Sequence, residues 1–296
     1  MASRARSLML GLGLTTVILA VFLLTVWALM AVLEDGVLPG GPRVAIVEVQ
    51  GIIVDGDATV RELREHIDNP AVRAVVLRVN SPGGVVGPTQ EIFAAVQRVR
   101  KAGKPVVASL AAVAASGGYY VATAADRIYA NPGTLTGSIG VVMQMANVEG
   151  LLKKVGVEYV VVKAGAYKDV GNFARTMSPG ERRILQLLLD DVYGQFVAAV
   201  AEGRGLDRAT VLAFADGRIY SGQQARALKM VDELGGLEEA IEAAAKLAGL
   251  PERPRLLLPR RRFSLTDLLR NQLGMGGSGA LLPALPSLRT PLYLMD

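Results

Sequence analysis

Hydropathy divides the chain into an apolar leader, an alternating middle and a proline-rich end. Leu8 to Leu33 carries no charge, and the first acidic residue is Glu34. That run is longer than the roughly 20 apolar residues that span a bilayer. It reads as a transmembrane anchor over 8–33, with residues 1–7 cytoplasmic because Arg4 and Arg6 have no acids to balance them. A cleaved signal peptide is the alternative. Its apolar core is normally only about 7–15 residues, and Ala28 and Ala31 have the wrong spacing for an Ala-x-Ala cleavage site. Residues 34–42, with Gly36, Pro39, Gly40, Gly41 and Pro42, read as a linker.

From 43 to 250, short apolar runs alternate with helical patterns. Strands are expected at Val44–Val49, Ala74–Val79, Pro105–Leu110, Arg127–Ala130, Gly140–Met145 and Glu158–Val162. Helices are expected at Ala58–His66, Thr89–Ala102, from Gly118, at Glu149–Val155, from Ser178 to about Glu202, near Arg208–Phe214 and Ser221–Lys229, and at Leu237–Ala248. Ser178-Pro179-Gly180-Glu181 is a helix start, with a capping serine, a proline at the first position and a capping-box glutamate. This order predicts an α/β domain with a mainly parallel sheet. Beyond Pro251 come further prolines, Arg260-Arg261-Arg262, a glycine-rich stretch and a leucine-rich end. Residues 251–296 read as a flexible tail. The alternative is an extended segment that docks on a neighbouring subunit or in the domain's own groove.

Composition narrows the chemistry. The chain has 296 residues, 51% of them hydrophobic, and a net charge of +5. There is no long basic stripe with interleaved aromatics, so nucleic acid is not an expected partner. There is no cysteine, which removes thiol nucleophiles and thiolate metal sites. The single histidine, His66, lies in the charged stretch Arg61–Asp68 and reads as a surface or boundary residue. A Ser-His-Asp triad would depend on it alone, and no metal or other cofactor is expected.

Three stretches stand out. Ser116, in Ala112-Val113-Ala114-Ala115-Ser116-Gly117-Gly118-Tyr119-Tyr120-Val121, sits where a strand turns into a helix. It is either a plain N-cap or a nucleophile held up at a sharp turn. Asn80-Ser81-Pro82-Gly83-Gly84 follows the preceding strand. Ends of parallel strands share one sheet edge, so the N–H groups of Gly83 and Gly117 can converge on one oxygen as an oxyanion hole. Without a usable histidine, a serine nucleophile needs another base, and lysine is the known substitute. Lys168, in Ala166-Tyr167-Lys168-Asp169-Val170-Gly171, is the candidate, with Ser138 of Thr136-Gly137-Ser138-Ile139-Gly140 placed to orient its amine.

Taken in order, the Ser-Pro-Gly-Gly turn, Ala-Ala-Ser-Gly-Gly-Tyr-Tyr, Thr-Gly-Ser-Ile-Gly, the Tyr-Lys segment and Met-Ser-Pro-x-Glu resemble the membrane-anchored serine proteases of the signal peptide peptidase A type. The likeness runs from about Val44 to Leu250. It implies a crotonase/Clp-like α/β fold, nucleophile Ser116, base Lys168 and supporting residue Ser138, all in the short single-domain form. It also implies a homo-oligomer at the membrane lipid, acting on remnant signal peptides or other apolar polypeptides; the cytoplasmic N-terminus before the anchor puts the catalytic domain outside the cytoplasm. A crotonase-like acyl-CoA enzyme and a non-catalytic membrane scaffold are the alternatives.

Overall fold

A computed structural model describes residues 15–27 and 41–259, together with the backbone of Leu292–Leu294. Helix α1, Thr15–Trp27, belongs to a unit separate from the domain that begins at Arg43. Its 13 residues are apolar and exposed. The rest of the expected 8–33 anchor, the 1–7 terminus and most of the 34–42 linker lie outside the described residues.

The domain is built on an eight-stranded sheet. Its main path runs β7 (Ile219–Ser221), β6 (Leu135–Gly137), β4 (Val106–Ala115), β2 (Val72–Ser81), β1 (Arg43–Gln50) and β9 (Arg255–Leu257). β5 (Arg127–Ala130) pairs with β4 and with β8 (Glu233–Leu234). Strands β1, β2 and β4 are parallel, in registers such as Val47 opposite Leu77 and Leu77 opposite Ala108. Both faces of these strands are covered, which is why they read as near-continuous apolar runs rather than strict alternation. On one face Val44, Ile46, Ala74 and Val76 meet Ala240, Ala244 and Ala245 of α9 (Leu237–Leu247). On the other, Ala45, Val47, Val49 and Leu77 face a larger core. That core takes in α2 (Asp57–Asp68), α3 (Val86–Lys101), α4 (Gly117–Ala122) and α6 (Pro179–Arg204) through Leu63, Ile92, Tyr119 and Phe196. The expected α/β class is therefore met. α6 is apolar enough to pass as a membrane span, but Phe196, Val197 and Val200 tie it into this core.

β4 is the strand on which the sheet divides. Its first half, Val107–Leu110, pairs with β5, and its second half, Val113–Ala115, pairs with β6. The extra length carries the chain past the main sheet to Ser116.

Several expectations are corrected. Gly140–Met145 forms no strand: Ser138 takes φ +50°, which turns the chain out of the sheet directly after β6. Glu158–Val162 is likewise not a strand, and Val162 is 96% exposed. Its β-branched residues suit a ladder, but no partner strand is supplied among the described residues. The expected tail contributes two strands, β9 on the edge of β1 and β10 (Leu292–Leu294) antiparallel to β3 (Gly83–Val85). His66 is buried, one helical turn from Leu63 on the inner face of α2, with its Nε2 3.9 Å from Glu62 Oε1.

Candidate active site

β4 and β6 end together. Ala114 lies opposite Thr136 and Ala115 opposite Gly137. The hydroxyls of Thr134 and Thr136 donate to the carbonyls of Ala111 and Ala114 at 2.7 and 2.6 Å and stitch the short β6 to β4. At the next position each chain turns sharply. The Ser116 N–H donates to Gly137 O at 2.8 Å, and the Ser138 N–H donates to Arg218 O at 2.9 Å. Ser116 and Ser138 have φ of +51° and +50°. A side-chain-bearing residue in this region costs on the order of 1–3 kcal/mol, so surrounding structure must impose it.

Ser116 occupies the N-cap position of α4 but makes no capping hydrogen bond. Its Oγ is buried and has no hydrogen-bond partner among the described residues. The plain N-cap reading is therefore not met. A capping serine would accept an N–H from the first turn, whereas this hydroxyl is held away from its own helix. The helix itself starts through the backbone, with the Tyr120 N–H donating to Ser116 O at 2.8 Å. The Gly117 N–H lies in the first turn and has no intrahelical carbonyl to meet.

The turn after β2 does lie against the start of α4. A Cβ on Gly118 would fall 2.7 Å from Ser81 O, so only glycine allows this approach. Gly83, at φ +110°, follows in the same turn. Its N–H is not free as the sequence reading supposed: it donates to the buried Ser81 Oγ at 3.1 Å. An anionic oxygen is the stronger acceptor and can replace that hydroxyl. Gly83 then opens β3, which lies between two neighbours. On one side Ile53 N–H donates to Gly83 O at 2.9 Å and Val85 N–H donates to Ile53 O at 2.7 Å. On the other, β10 places Leu294 opposite Gly83 and Leu292 opposite Val85.

Lys168 is the candidate not brought in. It is exposed on a turn-rich loop, with its N–H donating to Gly165 O at 3.2 Å, and Ser116 Oγ has no hydrogen-bond partner among the described residues. Sequence reasoning also passed over what holds that loop. Arg175 bridges Asp169 to Glu181, and Lys163 pairs with Asp169. Only Glu181 stood out in the sequence, through its capping box, which the structure contains.

Beside Ser138 opens a cavity of about 650 Å³ lined by Ile139, Val142, Gln186, Leu189, Tyr193 and Ile219, among others. A second, of about 420 Å³, shares Gln186 and Leu189 with it and is lined by Met143, Met145 and Met177. Together they lead from Ser138 towards Gly171 and Arg175, lined by apolar side chains and, in about equal measure, by polar ones such as Asp190, Asp216 and Arg182. Thioethers are adaptable packing partners, so this surface can accept side chains of varied shape.

A hydroxyl fixed on a strained strand-to-helix turn, with helix-start donors beside it, is how α/β hydrolytic enzymes hold a nucleophile. Comparison with known proteins gives the same class independently. Residues 98–251 match the model of peptidase family S49. The chain is 46% identical over 209 residues to a Synechocystis sp. protein provisionally named a protease, covering 70% of this chain and 75% of that one. It is 37% identical over 221 residues to protease 4 of Salmonella typhi, covering 72% of this chain but 36% of that longer protein. It is 35% identical over 227 residues to an Enterococcus faecium protein provisionally named signal peptide peptidase SppA, covering 72% and 65%. The chain belongs to peptidase family S49, and it is a protease.

Proposed function

We propose that this protease is a membrane-anchored serine endopeptidase with Ser116 as nucleophile and Lys168 as base. The observation that carries the reading is the buried, unpartnered Ser116 Oγ on its strained turn. The neutral Lys168 amine takes the Ser116 proton as Oγ attacks the peptide carbonyl. The N–H groups of Gly117 and Gly83 hold the oxyanion, the latter exchanging Ser81 Oγ for it. Lys168 then protonates the leaving amine, and water, deprotonated by the same amine, releases the acyl-enzyme. Ser138 steadies the lysine amine beside the nucleophile. The division of β4 between β5 and β6 supports a crotonase/Clp-like fold. A crotonase-like acyl-CoA enzyme on this scaffold gives no reason for an unpaired serine hydroxyl.

A lysine loses its proton near neutrality only where burial or nearby cations favour the neutral amine. Lys168 is exposed on the single chain, so its shelter has to come from movement of its loop or from another copy. The apolar, unpaired 157–162 segment just before it favours the second route, a homo-oligomer in which neighbouring copies complete each other's sites. The apolar lead at 8–33 is the anchor, with the catalytic domain outside the cytoplasm. Remnant signal peptides and other apolar membrane-proximal chains are the proposed substrates.

The test is hydrolysis of apolar peptides by the full chain in detergent. Ser116→Ala and Lys168→Ala should each be inactive while folded, and mixing the two should restore activity if the dyad forms between copies. Full activity in either single variant overturns the assignment. An inactive mixture places the dyad within one chain.

A further inference from the structure

The loop that carries Lys168 has almost no regular structure, yet it is closely tied down. Its ties converge on the residue next to the lysine. Lys163 pairs with one Asp169 carboxylate oxygen and also donates to Ala166 O at 2.8 Å. Arg175 Nε donates to the other Asp169 oxygen at 2.9 Å, and its Nη2 donates to the Asp169 carbonyl at 3.3 Å. The opposite side of the same guanidinium faces Glu181: Nη1 donates to Oε2 at 2.9 Å, and Nη2 pairs with Oε1. Glu181 is buried, and its Oε2 also accepts the Ser178 N–H at 2.8 Å at the start of α6. A second tether runs from Thr176, whose N–H and hydroxyl donate to Glu149 at 2.9 and 2.8 Å, with Lys153 on the same carboxylate.

Isolated surface ion pairs contribute little. This one differs in being a forked, multiply bonded cluster around a sheltered carboxylate, the geometry in which arginine outperforms lysine. The α6 capping box needs only Ser178 and Glu181. The bonds from Arg175 to the Asp169 side chain and main chain therefore serve the loop rather than the helix. α6 in turn lines the cavity beside Ser138 through Gln186 and Leu189 and is anchored in the core by Phe196. A rigid connection thus runs from the wall of the Ser138 cavity to the backbone one residue from Lys168.

We propose that Arg175 is a positioning residue for Lys168: by locking Asp169 onto Glu181 it fixes the loop that delivers the lysine and keeps the Asp169 carboxylate occupied. Both effects matter to a base. A loose loop loses the alignment on which proton transfer depends. A free carboxylate beside an amine favours the charged ammonium, which cannot accept a proton. The proposal rests on Lys168 being the base, and it holds whether the lysine serves its own chain or another copy.

The experiment measures kcat and KM for an apolar peptide across pH on the full chain in detergent, with thermal unfolding alongside. Arg175→Met, Asp169→Asn and Lys168→Ala are compared with the parent. The charged groups around the loop are Lys163, Asp169, Arg175, Glu181, Glu149, Lys153 and Arg182, and only one changes at a time. Arg175→Met should lower kcat at least tenfold with KM within about threefold, and move the acid-side half-point of kcat to higher pH, because Asp169 is left partly free. Asp169→Asn should lower kcat but move that half-point to lower pH, because a negative charge is gone. A purely structural role lowers both amplitudes without opposite shifts. Parent-like kcat and pH dependence in Arg175→Met, with Lys168→Ala inactive, overturns the proposal. An active Lys168→Ala overturns the base assignment itself, which is a separate failure. Should Arg175→Met not fold, Asp169→Asn, which keeps the Arg175–Glu181 pair, carries the test, and an unmoved half-point there is equally fatal.

Discussion

Ser116 and Ser138 leave paired strands at the same register, each in the left-handed region, with the Ser116 N–H bonded to the carbonyl just before Ser138 at 2.8 Å. The two hydroxyl-bearing residues are therefore set side by side by backbone pairing, before any side chain is considered. The unpaired burial of Ser116 Oγ has a thermodynamic consequence. Leaving a buried hydroxyl unsatisfied costs about 1–3 kcal/mol. Ser116→Ala should abolish peptide hydrolysis and raise thermal stability, by about 2–4 °C for each kcal/mol recovered. A melting temperature below the parent's would mean that the hydroxyl is bonded in solution.

Gly118 fixes the approach of α4 to the Ser81-Pro82-Gly83 turn. A methyl group there meets the Ser81 backbone oxygen at 2.7 Å, and backbone cannot rotate aside as a side chain can. Gly118→Ala should destabilise the domain by about 1–3 kcal/mol and lower kcat by displacing the turn that carries Gly83. Gly133→Ala, where a new Cβ has nothing within 4 Å, is the matched control. Denaturant unfolding of the two variants gives the comparison, and equal losses would remove the close approach as the cause.

Much of this was legible in the residues. The α/β order, the Ser116 turn, its neighbour turn at Gly83 and the capping box at Ser178 follow from local patterns, and the structure contains each of them. Most of the misses depend on what lies across space. Val160-Val161-Val162 has strand composition but no ladder partner among the described residues. Gly140–Met145 fails because a single positive φ at Ser138 redirects the chain. β3 and β10 are too short to announce themselves in the sequence, and their pairing is set across space. Asp169, Arg175 and Glu181 look like ordinary surface charges until the loop folds back on α6. Lys168 follows from elimination and motif order, and no local pattern says where its amine lies.

β10 turns the end of the chain into a neighbour of the site. It pairs with β3 at Gly83 and also lies against α4. An added antiparallel strand is one way in which proteins take up extended peptides, so β10 holds an edge that a substrate chain could use. A chain ending at residue 259 should cleave peptides with a lower KM. It should also label faster at Ser116 with a serine-directed phosphonate. Unchanged KM and labelling rate would show that β10 does not compete for that edge.

Acid should expose the charge cluster on α6. Arg175 and the Ser178 N–H hold the Glu181 carboxyl down to about 2, and Arg175 with Lys163 holds Asp169 well below the usual carboxylate range. Groups depressed by folding stabilise the native state above their unfolded pKa, about 4 for these carboxylates. That contribution is lost as pH falls through the folded value. The stability difference between the parent and Glu181→Gln should therefore be constant from pH 7 to about 5 and shrink steadily as pH falls below 4 towards 2. Urea unfolding at pH steps across that range measures it directly. A difference that stays level down to pH 2 would show that the Glu181 charge, and with it the Arg175 bridge, does not contribute to holding the loop on α6.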